Sequence, residues 1–216
     1  MALTQKQLQK KRNKKATKKK LNKSKKNIPA PNRSVLGDLP VHLASSAPIH
    51  ECWFSDKFIK EDNIDKLGTV MISRKAPHGE FIIGNFLLDN CFHGVKNAFI
   101  RVVTREEYKY VLNGIKNNEN LISATPSCAR KLVESSIKYA ANLGISPHKD
   151  YHDAKLIFGD IDPDQCTEEF IFGFKGKPFY MPGHFDTDAD QARVVRQMYK
   201  KKAGKTEIRN KGYYYE

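Results

Sequence analysis

The chain has 216 residues, 39% of them hydrophobic, and a formal net charge of +14. That length fits one domain, or one domain with tails. No apolar run approaches the ~18 residues that a membrane-spanning helix needs, so no membrane partner is expected. The charge is uneven. Met1–Lys26 carries twelve Lys/Arg and no acid, and Arg193–Glu216 carries eight Lys/Arg against two Glu. The stretch between them has 18 Lys/Arg against 22 Asp/Glu, a mildly acidic body of charge −4. Polycations of this density seek phosphate backbones or anionic lipid.

Met1–Lys26 has only scattered Leu and Ala. It cannot bury enough apolar surface to offset the entropy of ordering, and a disordered tail is expected. It has no apolar stripe, which argues against insertion into a membrane as an amphipathic helix. Lys10, Lys11, Arg12, Lys14, Lys15, Lys18, Lys19 and Lys20 are the expected phosphate contacts, independent of sequence and sensitive to salt. In a eukaryotic cell the same run would serve as a nuclear or nucleolar address. Residues 27–48 hold Pro29, Pro31, Pro40 and Pro48, and read as an extended linker lying along the body.

The folded part is expected from Ile49 to about residue 203, with 204–216 a basic, tyrosine-rich tail. Ile49–Phe58 reads as a strand bearing the only tryptophan, Trp53, a core anchor. Strand alternation would point His50 and Cys52 the same way. Leu67–Arg74, the turn Ala76–Gly79 and Glu80–Leu88 form an antiparallel hairpin (67–88). Asn90–Gly94 breaks the strand, and Ala98–Val103 is a third strand. Thr104 and Glu107 make a capping box for a helix with Tyr108, Val111, Leu112 and Ile115 on one face. Thr125-Pro126 starts a second helix, and Gly144 ends it. Ala154–Phe158 reads as a short apolar strand, and Glu169–Phe174 with Pro178–Met181 as a hairpin around Lys175-Gly176-Lys177. A last helix follows Asp186–Asp190, with Arg193, Arg196, Lys200, Lys201 and Lys202 on its outer face. Segregated strands and about three helices give an α+β fold built on an antiparallel sheet.

Two groups of residues suggest chemistry. Asp160, Asp162 and Asp164 alternate as at the start of an EF-hand, but Gln165 stands at the required Gly and Ile171 at the required Glu, so an EF-hand is excluded. Asp89 with Asp160 or Asp162 would supply the carboxylates of a Mg²⁺-dependent nuclease, where the metal activates water and stabilises the leaving oxygen. The competing reading of these acids is turns and helix caps. Asp89, Cys91, His93 and Lys96 fall within eight positions, which raises a thiol nucleophile with an imidazole base. His50, Cys52, Cys91 and His93 would make a structural Zn²⁺ site if their strands brought them together. No cofactor is firmly required.

The four cysteines form no CxxC pair and follow no secretory signal, which implies free thiols in a reducing, intracellular compartment. The sequence reading is therefore a cytoplasmic, nuclear or nucleolar accessory protein. It binds RNA or DNA backbone, or a ribonucleoprotein such as the ribosome, through its basic ends. Its alternatives are a Mg²⁺-dependent nuclease and a protein-interaction domain with an address tail.

Overall fold

A computed structural model describes residues 41–60 and 64–182, scattered positions from 187 to 196, and the backbone of 206–209 and 212–215. Its centre is a five-stranded antiparallel sheet of β1 (Ile49–Ser55), β2 (Leu67–Lys75), β3 (Phe81–Asp89), β4 (Gly94–Val103) and β5 (Leu121–Ser123), ordered β4-β3-β2-β1-β5. The strands form because the expected alternation holds. Val70, Ile72, Ile82, Phe86 and Leu88 face one side, and Met71, Phe81, Ile83 and Val103 the other. Both faces are apolar, so both are covered.

Helix α1 (Val41–Ser46), helix α3 (Pro126–Asn142), helix α4 (Tyr151–Ala154) and the 3₁₀ turn Lys155–Phe158 cover the first face. Helix α2 (Arg105–Asn118) covers the second through Tyr108, Val111, Leu112 and Ile115. The start signals of α2 and α3 act as their sequences imply. Thr104 accepts from Glu107 N while Glu107 Oε2 accepts from Thr104 N. Thr125 accepts from Cys128 N. At the end of α3, Gly144 takes φ +83 and donates to Ala141 O, and Ile145 donates to Ala140 O. This is a Schellman closure, which favours glycine at that position.

Several expectations change. Val41–Ser46, read as linker, is helical. Ala154–Phe158, read as a strand, is the end of α4 and a 3₁₀ turn, with Ile157 and Phe158 buried. A five-residue apolar run has no resolvable period, and here its last two carbonyls accept from the Arg74 side chain rather than from a neighbouring strand. The expected 169–181 hairpin reduces to one bridge, Phe174↔Lys177. Its flanks pair elsewhere: Gly173 N donates to Asn90 O, and Phe179 N to Cys91 O. Strand β6 (Phe179–Tyr180) instead joins β8 (Gly212–Tyr215), which pairs with β7 (Thr206–Arg209). The tyrosine run thus has strand backbone, in keeping with the preference of aromatic residues for sheets.

Candidate functional site

The residues singled out from sequence are not assembled into one site. Asp89 ends β3 opposite Leu67. Its Oδ1 accepts from Cys91 N at 3.0 Å and Phe92 N at 3.1 Å, and its Oδ2 accepts from His93 Nδ1 at 2.8 Å. The carboxylate therefore folds the turn into β4. That turn in turn holds the C-terminal part of the body, through the Asn90 and Cys91 carbonyls and through Tyr139, whose hydroxyl donates to Cys91 O.

Asp160 belongs to the other end of the sheet. The segment before it is held by Arg74, which lies seven residues from Leu67 along β2, about 20 Å of strand. Asp162 Oδ1 accepts from Asp164 N and caps the 3₁₀ turn Pro163–Gln165. Asp89 and Asp162 are thus each engaged with their own turn, and Asp160 lies apart from Asp89. Among the described residues no group of three or more His, Cys, Asp or Glu is placed to hold a metal ion.

The proposed zinc set is likewise divided. β1 bulges at His50: Ile49 pairs with Arg74, and Glu51 with Ser73. Two residues oppose one at a bulge, so the alternation slips by one position. The His50 ring packs at a tilt against Phe81 and Tyr108 beneath α2. Cys52 lies in the core of the opposite face. Cys91 and His93 follow the far end of β3. The thiol-nucleophile reading also lacks its geometry. His93 bonds to Asp89, and the Cys91 thiol donates to Ile64 O. Burial first, then the charge of Asp89, pushes the Cys91 thiol up to about 12, and burial pushes Cys52 to about 12. Both thiols are protonated at neutral pH, and the thiolate is the reactive form.

The expectation of four free thiols is corrected. Cys128 at the start of α3 and Cys166 form a disulfide across 38 residues, and only Cys52 and Cys91 are free. The bridge is one of three fastenings from a single turn of α3. Arg130 Nη1 donates to Gly159 O at 3.2 Å and Ile161 O at 2.6 Å, while its Nε bonds Glu134. Lys131 Nζ donates to Cys166 O, Glu168 O and Glu169 Oε1. From the sheet side, buried Arg74 donates to Ile157 O, Phe158 O and Ala47 O. An irregular segment, 157–169, is thereby fixed by side chains instead of a backbone ladder, which satisfies its carbonyls.

Beside them, with Arg130 in its wall, is a cleft of about 780 Å³ between α1, α3 and α4. Ser45, Ser46, Arg130, Glu134, Tyr151, Lys155 and Asp160 contribute its polar groups. Gly159 forms its rim at φ +54, where a Cβ would lie 2.0 Å from Ser45 O. Sequence reading missed Arg74, Arg130, Lys131 and the cleft. One signal was present: Arg74 falls on the same alternation as core residues Val70 and Ile72.

Of the expected phosphate contacts, Arg196 is exposed and helical. Lys10, Lys11, Arg12, Lys14, Lys15, Lys18, Lys19, Lys20, Arg193, Lys200, Lys201 and Lys202 lie outside the described residues. Val194 is buried against Phe92 and Tyr180. Among the described residues no helix is long and apolar enough to cross a membrane. No family model, curated protein or solved structure matches the chain.

Proposed function

We propose that the protein is a nucleic-acid-binding accessory protein that contacts RNA, alone or in a ribonucleoprotein, through its basic ends and without sequence readout. One observation carries this reading. Twelve Lys/Arg and no acid fall in the first 26 residues, next to a body whose middle has charge −4. Such a run releases counter-ions on meeting a polyanion, and that release dominates sequence-independent affinity. The acidic middle keeps the positive charge at the ends, where a phosphate backbone can be gripped without the body lying on it.

The reading places the protein inside the cell, with nucleic acid. The Cys128–Cys166 bridge bears on this, since cytosolic thiol pools reduce accessible disulfides. Both sulfurs belong to buried residues, 6% and 5% exposed, and attack by a soluble thiol needs access. The geometry lends no support to the Mg²⁺-dependent nuclease reading, because Asp89 and Asp162 are spent on turns and Asp160 lies toward the other end of the sheet.

Fluorescence anisotropy with labelled mixed-sequence RNA at low salt tests the proposal. The full chain should bind, and deletion of Met1–Lys26 should weaken binding by about a hundredfold or more. Unchanged affinity after the deletion would overturn it.

A further inference from the structure

The cleft between α1, α3 and α4 has a charge pattern that nucleic-acid binding does not use. Arg130 and Glu134 neutralise each other across 2.7 Å. That leaves one exposed cation, Lys155, and one exposed anion, Asp160. Neither makes a hydrogen bond or ion pair among the described residues, although burial lowers the pKa of Arg74 and the charge of Asp160 partly offsets this. The Tyr151 hydroxyl also has no hydrogen-bond partner among the described residues. Burial, then the charge of Glu134, raises its pKa, so it stays a neutral donor. The Tyr151 ring, Leu156 and the edge of Phe158 supply the apolar wall.

Rigidity is built in. Arg74 and Arg130 together fix the carbonyls of 157, 158, 159 and 161, and the disulfide ties the segment to α3. A preorganised cleft within the usual ligand-pocket range of roughly 300–1,000 Å³, with few convergent polar groups, has the properties of a small-molecule site. A simple anion would meet Asp160, and a simple cation would meet Lys155. A ligand carrying both charges satisfies both.

We infer that this cleft binds a small zwitterion, an α-amino acid or short peptide with an apolar side chain. Its carboxylate is held by Lys155 and the Tyr151 hydroxyl, its ammonium by Asp160, and its side chain lies against Leu156 and the Tyr151 ring. The inference is independent of the RNA reading, since it uses no residue of the basic ends.

Titration calorimetry on the full chain tests it, with L-leucine and glycyl-leucine as probes. N-acetyl-leucine and leucinamide each lack one charge and serve as controls. Both zwitterions should bind saturably. Loss of one charge-assisted contact should weaken binding about tenfold or more. This is expected for each blocked ligand, for Lys155→Ala and for Asp160→Asn, with circular dichroism and RNA affinity unchanged. Absence of saturable binding up to about 10 mM, well above the range such a site would give, overturns the inference. So does equal binding of the blocked ligands, or binding indifferent to both substitutions.

Discussion

Replacing Arg74 by Met should be among the most damaging single changes in the body. Arg74 is 3% exposed and donates to Ile157 O at 2.8 Å, Ala47 O at 2.5 Å and Phe158 O at 3.0 Å. Met preserves much of the apolar stem, so the loss isolates the guanidinium. Each hydrogen bond from a charged donor contributes about 1.5–3 kcal/mol. Against that stands the cost of burying the charge, visible as a lowered Arg74 pKa whose main cause is burial, partly offset by Asp160. The net is set by the Ile157 and Ala47 carbonyls, left without donors while Phe158 O keeps the Ile161 N–H, and comparable disruptions cost about 3–5 kcal/mol. At this size each kcal/mol moves the melting temperature by about 2–4 °C, so a fall of roughly 6–20 °C is expected. Arg74→Lys should recover only part of it, because one ammonium cannot span three carbonyls as the planar fork does. Urea unfolding followed by Trp53, the sole tryptophan, measures the loss. A cost below about 1 kcal/mol for Arg74→Met would refute the claim that this arginine holds the 157–161 segment.

Protein denatured without reductant should show two titratable thiols, and four after reduction; four without reductant would remove the Cys128–Cys166 bridge. Reduction should lower stability by up to about 4 kcal/mol, the chain-entropy value for a loop of 38 residues. In the native state Cys52 and Cys91 should resist alkylation at pH 8 and react on unfolding, because burial holds both as thiols. Asp56 accepts from Lys60 and Asn120, and these bonds hold its carboxyl below the ordinary value. Its folded pKa is depressed, so its contribution is complete above the unfolded value of about 3.9 and is lost as pH falls through the folded one. Asp56→Asn should therefore be less stable than wild type at neutral pH, with the difference shrinking in acid; a constant difference would contradict that.

How much of this was legible depended on whether the deciding interactions were local. β2, β3 and β4 follow from the apolar runs within 67–103 and the turn and break that separate them, and α2 and α3 from the Thr104 and Thr125 caps, whose partners lie three residues away. Residues 154–158 were unreadable because their conformation answers to Arg74, which comes from β2, more than 80 residues away. The bulge at His50 left no mark in composition, yet it reversed which residues share a face with Cys52. Asp89 was conspicuous as a charged interruption of an apolar run. Its role, folding the turn to β4, needed the geometry of Cys91 N, Phe92 N and His93. The cleft draws on α1, α3 and α4 and the segment after them, and no single stretch of sequence contains it.

The central claim is that the basic end grips a phosphate backbone, and the salt dependence of RNA affinity addresses it most directly. For single strands the slope of log K against log salt is about −0.7 per phosphate neutralised. Even half of the twelve cations in Met1–Lys26 should make the full chain's slope steeper by about 4 than that of the chain lacking them. Equal slopes for the two proteins would contradict the account.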